Sequence, residues 1–357
     1  MFNFFPKPFG LDISDHSIEI ISLSGSLKKP ELSALERMIL KPGVVRDGQI
    51  IQKEKLEEYL KKSISEPRFG VIKTRNLIFA LPESKTFVHS FNISTEIPEK
   101  LRIKEIETEA GKFFPFSLNE LYYDFSVNEK GNVLLAAAPK KIVDDYLEVF
   151  NNCQINPIIF ETTSESLARA LIDEKNKPVL IVDMGAKTTS LSIFDGQGIV
   201  LSSSLSTGGE KLTETISEKL AITKAQAEEI KIETGLDPKK KKGRIFLILQ
   251  EEIQKIIKKI REIDSYFEEK TGNKIEKIIM TGGAMLTLNL KEYLADNLEK
   301  EILIGDPWEK TGIFIGKYFK KSLKFEPIFF SSAIGSALRG LARDPKKTGI
   351  NFIKGIK

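Results

Sequence analysis

Val179-Leu180-Ile181-Val182-Asp183-Met184-Gly185-Ala186-Lys187-Thr188-Thr189 is an apolar run that stops on an aspartate, turns through small and polar residues, and returns. Gly10-Leu11-Asp12-Ile13-Ser14 does the same near the start of the chain. A carboxylate at the mouth of a β-hairpin holds a hydrated magnesium, while the turn's backbone N–H groups face phosphate oxygens. Two such hairpins make a phosphate clamp. One alone carries little, because aspartate before a turn is ordinary strand-ending chemistry. The third element is Lys277-Ile278-Ile279-Met280-Thr281-Gly282-Gly283-Ala284-Met285, a buried strand broken by a double glycine before a helical stretch. Glycines there let the backbone approach a flat ligand such as a purine.

Outward from these segments, the spacing predicts a hairpin over 10–24, a strand over 32–40, a helix over 52–63 and a buried strand over 76–80 ended by Pro82. Residues 83–157 read as a module of their own. It has a strand at 86–93, a helix at 98–114, strands at 121–127 and 133–138 joined by the turn 128–132, and a helix at 140–151. A strand end runs into a helix over 160–173, and Glu174-Lys175-Asn176-Lys177-Pro178 marks a hinge between two lobes. Strands at 180–183, 190–194 and 199–205 precede helices at 209–220, 224–234 and 245–269. The last carries one apolar stripe from Leu249 through Ile256 to Phe267, which is core packing. A helix at 287–297, a strand at 301–304, an irregular segment to Lys324 and a closing helix at 331–342 complete the chain. In that last helix, Ala333, Gly335, Ser336 and Ala337 permit close packing or approach to a ligand. A hairpin followed by helices thus occurs twice, as internal duplication produces.

The 357 residues, 41% hydrophobic, suffice for a large core in two or three domains. The net charge of +4 arises from 54 basic and 50 acidic residues spread along the chain, so no basic field points to nucleic acid. The run Lys239-Lys240-Lys241-Lys242 reads as a solvated loop between helices. A lone Cys153 excludes internal disulfides and a cysteine metal cluster and reads as a small core residue, and His16 and His89 are too few for a zinc site. No apolar run reaches the roughly 18 residues that span a bilayer, and the first nine residues lack a signal peptide's features, so a cytosolic location is expected.

Together these residues resemble the actin/Hsp70/hexokinase nucleotide-binding superfamily, and within it the PilM family of type IV pilus assembly proteins, relatives of the division protein FtsA. The resemblance runs from Gly10-Leu11-Asp12-Ile13 to Ser332-Ala333-Ile334-Gly335-Ser336-Ala337-Leu338-Arg339. Val182–Thr189 resembles the second phosphate motif, Ser206-Thr207-Gly208-Gly209-Glu210-Lys211-Leu212-Thr213 the glycine turn after it, and Thr281-Gly282-Gly283-Ala284 the adenosine motif. Glu107-Thr108-Glu109-Ala110-Gly111-Lys112-Phe113-Phe114-Pro115-Phe116-Ser117, with Tyr122-Tyr123-Asp124-Phe125 after it, is similar to the 1C-type subdomain of PilM, which Hsp70 lacks.

The resemblance implies an α/β, actin-like (ribonuclease-H-like) duplicated two-lobe fold with that small α+β subdomain inserted. Lobe I would be 1–82, the insert 83–157, the lobe I helix and hinge 158–177, lobe II 178–324, the returning helix 325–343 and the tail 344–357. It implies ATP or ADP with Mg2+. Asp12 and Asp183 would flank the metal through its waters, and Ser14 and Ser17 would sit in the first phosphate loop. Gly185, Ala186, Lys187 and Thr188 would wrap the phosphates, Gly208, Gly209 and Glu210 would approach ribose and phosphates, and Gly282, Gly283 and Ala284 would lie against adenosine, with Gly335 near the ligand. Glu165 is the candidate to orient an attacking water, with Glu161 as competitor; either also reads as a solvated helix charge. The implied role is a cytoplasmic scaffold, at most a slow ATPase. It would sit on the inner face of the membrane by docking the N-terminal peptide of a PilN-like inner-membrane protein on residues 83–157. Pilus motor ATPases and self-association are further partners the resemblance suggests.

One departure stands out. The family's first phosphate loop runs from a glycine through serines to a lysine, whereas here Ser14, Asp15, His16, Ser17 and Ile18 lead to Glu19. Like charges about 4 Å apart cost roughly 1 kcal/mol in water and roughly 4 at an effective dielectric near 20, so Asp15 and Glu19 are expected to weaken nucleotide binding. The alternative of an FtsA-like, filament-forming, membrane-tethered cytoskeletal protein rests on the basic-apolar tail 349–357, which is short for an amphipathic anchor. A sugar or acetate kinase would need an acceptor-site signature that the chain lacks. Gly349-Ile350-Asn351-Phe352-Ile353 also resembles the Ile-Asn-Leu-Leu type of peptide that PilN presents, which raises three options: the tail in a neighbour's groove, a similarity shared with an adjacent gene, or a frayed terminus.

Overall fold

A computed structural model describes residues 6–94, 96–128, 131–173, 177–196, 198–316 and 327–354. It divides into two compact units, one of Met1–Asp173, Gln197–Ser202 and Asp306–Lys357, the other of Glu174–Gly196 and Ser203–Gly305.

The first unit is built on a six-stranded sheet. Strand β1 (Phe9–Ile13) pairs antiparallel with β2 (Ser17–Ser26), which pairs with β3 (Lys29–Ile39). A two-residue ribbon, β4 (Val45–Arg46) and β5 (Gln49–Ile50), leads into α1 (Lys53–Ser65), and β6 (Phe69–Gly70) edges β3. On the other side of β1 lies parallel β7 (Asn76–Leu81), and β11 (Asn156–Thr162) runs parallel to β7 at the far edge. Leu11 and Phe79 are wholly buried, as befits strands covered on both faces. A short helix, α9 (Pro307–Thr311), interrupts the stretch expected to be irregular, and its last part, 317–326, lies outside the described residues.

The cover on β1 is α10 (Ser331–Gly340), all ten residues of which are buried. A Cβ on Gly10 would fall 2.1 Å from Ala333 O and 2.5 Å from Ala337 N, so glycine on the strand admits the helix backbone directly. The same close approach recurs where α10 meets α4 (Thr163–Leu171), at Gly335, whose added Cβ would lie 1.9 Å from Ser166 O. The small residues of α10 therefore serve close packing.

Inserted between β7 and β11 is a three-stranded antiparallel sheet, ordered β8 (Phe87–Asn92), β10 (Asn132–Pro139), β9 (Leu121–Val127), with α2 (Glu99–Phe113). It has its own core, with Ile106 and Ala110 from the helix and Phe114 just after it against Leu121, Val133 and Leu135 from the strands. The helix that follows, α3 (Lys140–Asn152), was expected in this module. Its Tyr146 and Phe150 instead pack on Phe79 of the main sheet, with ring centroids 4.8 and 5.2 Å away, because its strongest apolar stripe faces there.

The second unit holds β13 (Thr189–Phe194), β12 (Val179–Met184), β15 (Lys277–Thr281) and β16 (Glu301–Ile304) of a five-stranded sheet ordered β14 (Ile199–Leu205), β13, β12, β15, β16, with only the last three residues of β14 inside its bounds. Its helices are α5 (Gly209–Leu220), α6 (Lys224–Glu233), α7 (Arg244–Thr271) and α8 (Leu290–Leu298). The α7 stripe is buried as expected. The lysine run is an exposed turn in which Lys241 and Lys242 have φ of 48° and 54°. Helix α8 starts three residues later than its periodicity suggests, because Asn289 takes a left-handed φ of 57°.

The two units repeat one motif. In each, a strand ending near an aspartate has an antiparallel hairpin partner on one side and a parallel strand on the other: β2 and β7 around β1, β13 and β15 around β12.

Candidate functional site

In the second unit four segments converge. Asp183 stands at the penultimate position of β12, level with Thr281 on β15. Gly282 follows with φ +89°, and a Cβ there would meet Asp183 Oδ1 at 2.4 Å and Met184 O at 2.5 Å. Glycine is thus needed to lay this backbone against the aspartate. The turn after Asp183 closes with Gly185 N donating to Thr188 O at 3.0 Å. Its carbonyls hold the start of α5, since Gly209 N donates to Gly185 O at 2.9 Å and Glu210 N to Ala186 O at 2.8 Å. A Cβ on Gly208 would lie 2.5 Å from Ala186 O. Two of the helix's otherwise orphaned N–H groups are satisfied in this way. Gly209 in turn abuts Ala284, 3.3 Å from its would-be Cβ to the alanine Cβ. The structure therefore brings Asp183, Gly185 to Thr188, Gly208 to Glu210 and Gly282 to Ala284 into one neighbourhood.

Sequence reasoning missed a member. Lys231 on α6 is buried, and its Nζ donates to Gly209 O at 3.1 Å, Thr213 Oγ1 at 2.9 Å and Glu228 Oε2 at 2.7 Å. The available signal was the acid–x–x–lysine spacing Glu228-Glu229-Ile230-Lys231, which puts both charges on one helix face.

In the first unit, Asp12 faces Glu19 across the β1–β2 pair. The turn between them differs from expectation. Ser14 Oγ accepts the N–H of His16 at 3.2 Å and of Ser17 at 3.0 Å, so two turn amides thought to face phosphate are turned onto Ser14. The two carboxylates expected to weaken nucleotide binding each meet a donor of this chain. Asp15 accepts from Asp47 N at 2.8 Å and Gly48 N at 3.1 Å, and buried Glu19 accepts from Arg37 Nε at 2.9 Å, with that guanidinium 3.6 Å above the Phe329 ring. Burial pushes the Glu19 carboxyl up, against the Ser17 hydroxyl and Arg37. Both carboxylates have partners of their own.

Glu161 does not behave as a candidate for orienting water. It is fully buried between Arg169 Nη2 at 2.8 Å and Arg339 Nη1 at 2.7 Å, and also accepts from Ser336 Oγ at 2.8 Å. Burial alone would raise its pKa, but the two guanidinium groups hold it below the usual range. Glu165, in the first turn of α4, is pushed up to about 7 by burial and by the Glu161 charge, against Arg339, Arg169 and an N–H donated by Ile350. Its Oε1 accepts that amide at 3.1 Å, so neither acid is a solvated helix charge.

Ile350 belongs to the tail, which is not frayed. Ile350, Asn351, Phe352 and Ile353 are all buried. Asn351 N donates to Asp124 Oδ2 at 3.0 Å, Phe352 N to Phe160 O at 2.9 Å, and Phe160 N to Asn351 Oδ1 at 3.1 Å. Arg339 caps the Gly349 and Ile350 carbonyls. Of the apolar tail residues offered as a membrane anchor, Ile350, Phe352 and Ile353 are therefore part of the first unit's core, while Ile356 lies outside the described residues.

Among the described residues no three His, Cys, Asp or Glu converge on a metal, and no helix is long and apolar enough to cross a membrane. Asp183 beside an all-backbone turn fits a cation held through water better than one held directly.

A family model described as type IV pilus assembly protein PilM matches residues 10–341. The chain belongs to the PilM family. Among solved structures, a PilM–PilN type IV pilus biogenesis complex superposes with TM-score 0.81 at 23% identity, covering 94% of this chain and 99% of that one. The ethanolamine utilization protein EutJ of Carboxydothermus hydrogenoformans gives 0.57 at 13% identity over 94% and 90% of the two chains. MreB5 of Spiroplasma citri bound to AMPPNP gives 0.51 at 17% identity over 89% and 97%. This PilM-family chain has the actin-like ATPase fold. It is also 29% identical over 188 residues to the cell division protein FtsA of Helicobacter pylori strain J99, covering 45% of the chain but only 38% of that relative.

Proposed function

We propose that this PilM-family chain is a cytoplasmic, actin-like, nucleotide-binding scaffold of a type IV pilus machine that docks the N-terminal peptide of a PilN-like inner-membrane protein. The observation that carries the nucleotide half is the convergence of Asp183, the 185–188 turn, Gly208–Gly209 and Gly282–Ala284 in the second unit. In this reading the two units are lobes I and II. Asp183 would hold Mg2+ through its waters, the 185–188 turn would face phosphates, and Gly282 to Ala284 would lie against adenine. Lys231 adds a buried positive charge at the start of α5. Bound magnesium would neutralise phosphate charge there. The chain is at most a slow ATPase, since Glu161 is locked between two arginines and Glu165 is spent on a tail amide. Docking falls to the inserted module and the adjoining edge strand β11. That a PilM relative is known in a PilN complex supports this assignment.

Calorimetric titration with ATP and magnesium tests the nucleotide half, with Asp183→Ala as control. Binding lost in the variant is expected; equal heats from both proteins would reject the clamp. The docking half is tested with the cytoplasmic N-terminal peptide of the same organism's PilN. An affinity unchanged by deleting the module would reject it.

A further inference from the structure

β11 is the edge of the six-stranded sheet, and an edge strand offers unpaired N–H and C=O groups to any extended chain. Here the chain's own residues 349–354 take that place. Phe352 N donates to Phe160 O, and the Asn351 side chain replaces the missing backbone acceptor by taking Phe160 N–H. Asn351 also turns its Nδ2 towards Ile158 O at 3.5 Å. From the inserted module, Asp124 reaches over with both oxygens, one on Asn351 N and one on Lys354 Nζ at 3.1 Å. The seat thus reads a pattern of apolar, Asn, apolar, apolar, basic, mostly through backbone atoms, as strand-addition sites do. What joins this segment to α10 is different in kind: residues 343, 344 and 346–349 are exposed, and Gly349 has φ +73°. A buried peptide on an exposed tether is the arrangement of a ligand held in cis.

We propose that residues 349–354 are a displaceable internal ligand, occupying in cis a seat that accepts an extended apolar–Asn–apolar–apolar–basic segment of a second chain, so that tail release gates docking. This rests on the docking reading above and adds its regulation. Because a short tether gives an effective concentration in the millimolar range, an incoming peptide must compete with it, and apparent affinity falls by the fraction of open seats. Arg339 ties the gate to α10, since its guanidinium touches both Glu161 and the Gly349 and Ile350 carbonyls.

The test uses the full chain and a fluorescein-labelled peptide of residues 347–354, followed by anisotropy. Replacing both Asn351→Ala and Phe352→Ala to loosen the tail is expected to tighten peptide binding at least 10-fold over the intact chain, and adding Asp124→Asn should reverse most of that gain. Equal affinity for the intact and loosened chains, or no binding to either, overturns the proposal. Should the loosened chain not fold, hydrogen exchange on the intact chain decides. Amides of Ile350, Asn351 and Phe352 should exchange through a local opening well before Leu11 in β1; exchange of all four only on global unfolding makes the tail a fixed part of the core and overturns it. A PilN peptide that binds intact and loosened chains equally would sink the gate while leaving docking intact. If the tail peptide prefers the loosened chain and the PilN peptide binds neither, the gate stands and the PilN assignment falls.

Discussion

Replacing Arg339 with methionine should be among the most damaging single changes in the first unit. The guanidinium is fully buried, lies 2.7 Å from Glu161 Oε2, and caps the carbonyls of Pro345, Gly349 and Ile350. Breaking a buried ion pair from one side costs about 3–5 kcal/mol, because the remaining charge is left without its partner. Arg169 stays on Glu161 and is 26% exposed, which moves the estimate to about 3 kcal/mol. The orphaned Ile350 carbonyl adds about 1 kcal/mol. At roughly 2–4 °C per kcal/mol for a unit of this size, the melting temperature should fall by roughly 10 °C. Trp308 is the single tryptophan and sits in the first unit against Phe330, so its fluorescence during urea titration follows that unit alone. Glu161→Gln on the Arg339→Met background should recover at least about 2 kcal/mol relative to the sum of the single changes, since the two residues touch. A midpoint that hardly moves in Arg339→Met, or strictly additive single changes, would refute the claim that Arg339 and Glu161 act as one coupled buried pair.

Three more outcomes follow from the geometry. Gly282→Ala has no room for its methyl beside Asp183 and a φ of +89°, so it should destabilise the second unit by roughly 1–3 kcal/mol and weaken ATP binding; calorimetry on the folded variant would show whether the aspartate moved. Lys231→Met should weaken ATP binding by roughly 10-fold while leaving a Trp308-monitored melt of the first unit unchanged, and an unaltered titration would separate Lys231 from the nucleotide. Glu165 has a folded pKa of about 7 against an ordinary 4.5, so the native state holds its proton more tightly than the unfolded chain does. Its stabilising effect is complete below about pH 4.5 and is lost as pH rises through 7, a decline on the order of 3 kcal/mol that Glu165→Gln should flatten.

Much of the architecture was legible because apolar strands, aspartates and glycines occur in an order set by local chemistry. The 185–188 turn and its neighbours met where the motifs put them, since each is bound to the next by backbone atoms. What escaped depended on pairings the chain order conceals. Glu19 and Arg37 are direct cross-strand partners, yet the β2–β3 register shifts between Ser22 and Leu23, so counting back from the hairpin would misalign them. The two-residue strands β4, β5 and β6 are too short to show periodicity. Helix α3 has a clear apolar stripe, but nothing local says which sheet it will cover. The tail's seat is built from Asp124, Phe160 and Glu165, each more than 180 residues away in sequence.

The burial of α10 against β1 has a consequence for synthesis. Gly10 is shaped to receive Ala333 and Ala337, so the central strand of the first unit waits for more than 320 residues of translation before its cover emerges. The second unit, by contrast, spans 174–305 with only a short excursion, and its parts are all made by then. On a ribosome, where chains lengthen by roughly 5–20 residues per second, the second unit can mature tens of seconds after synthesis begins while the first still exposes an apolar sheet face. Until α10 arrives, that face is the region of the nascent chain most in need of a chaperone.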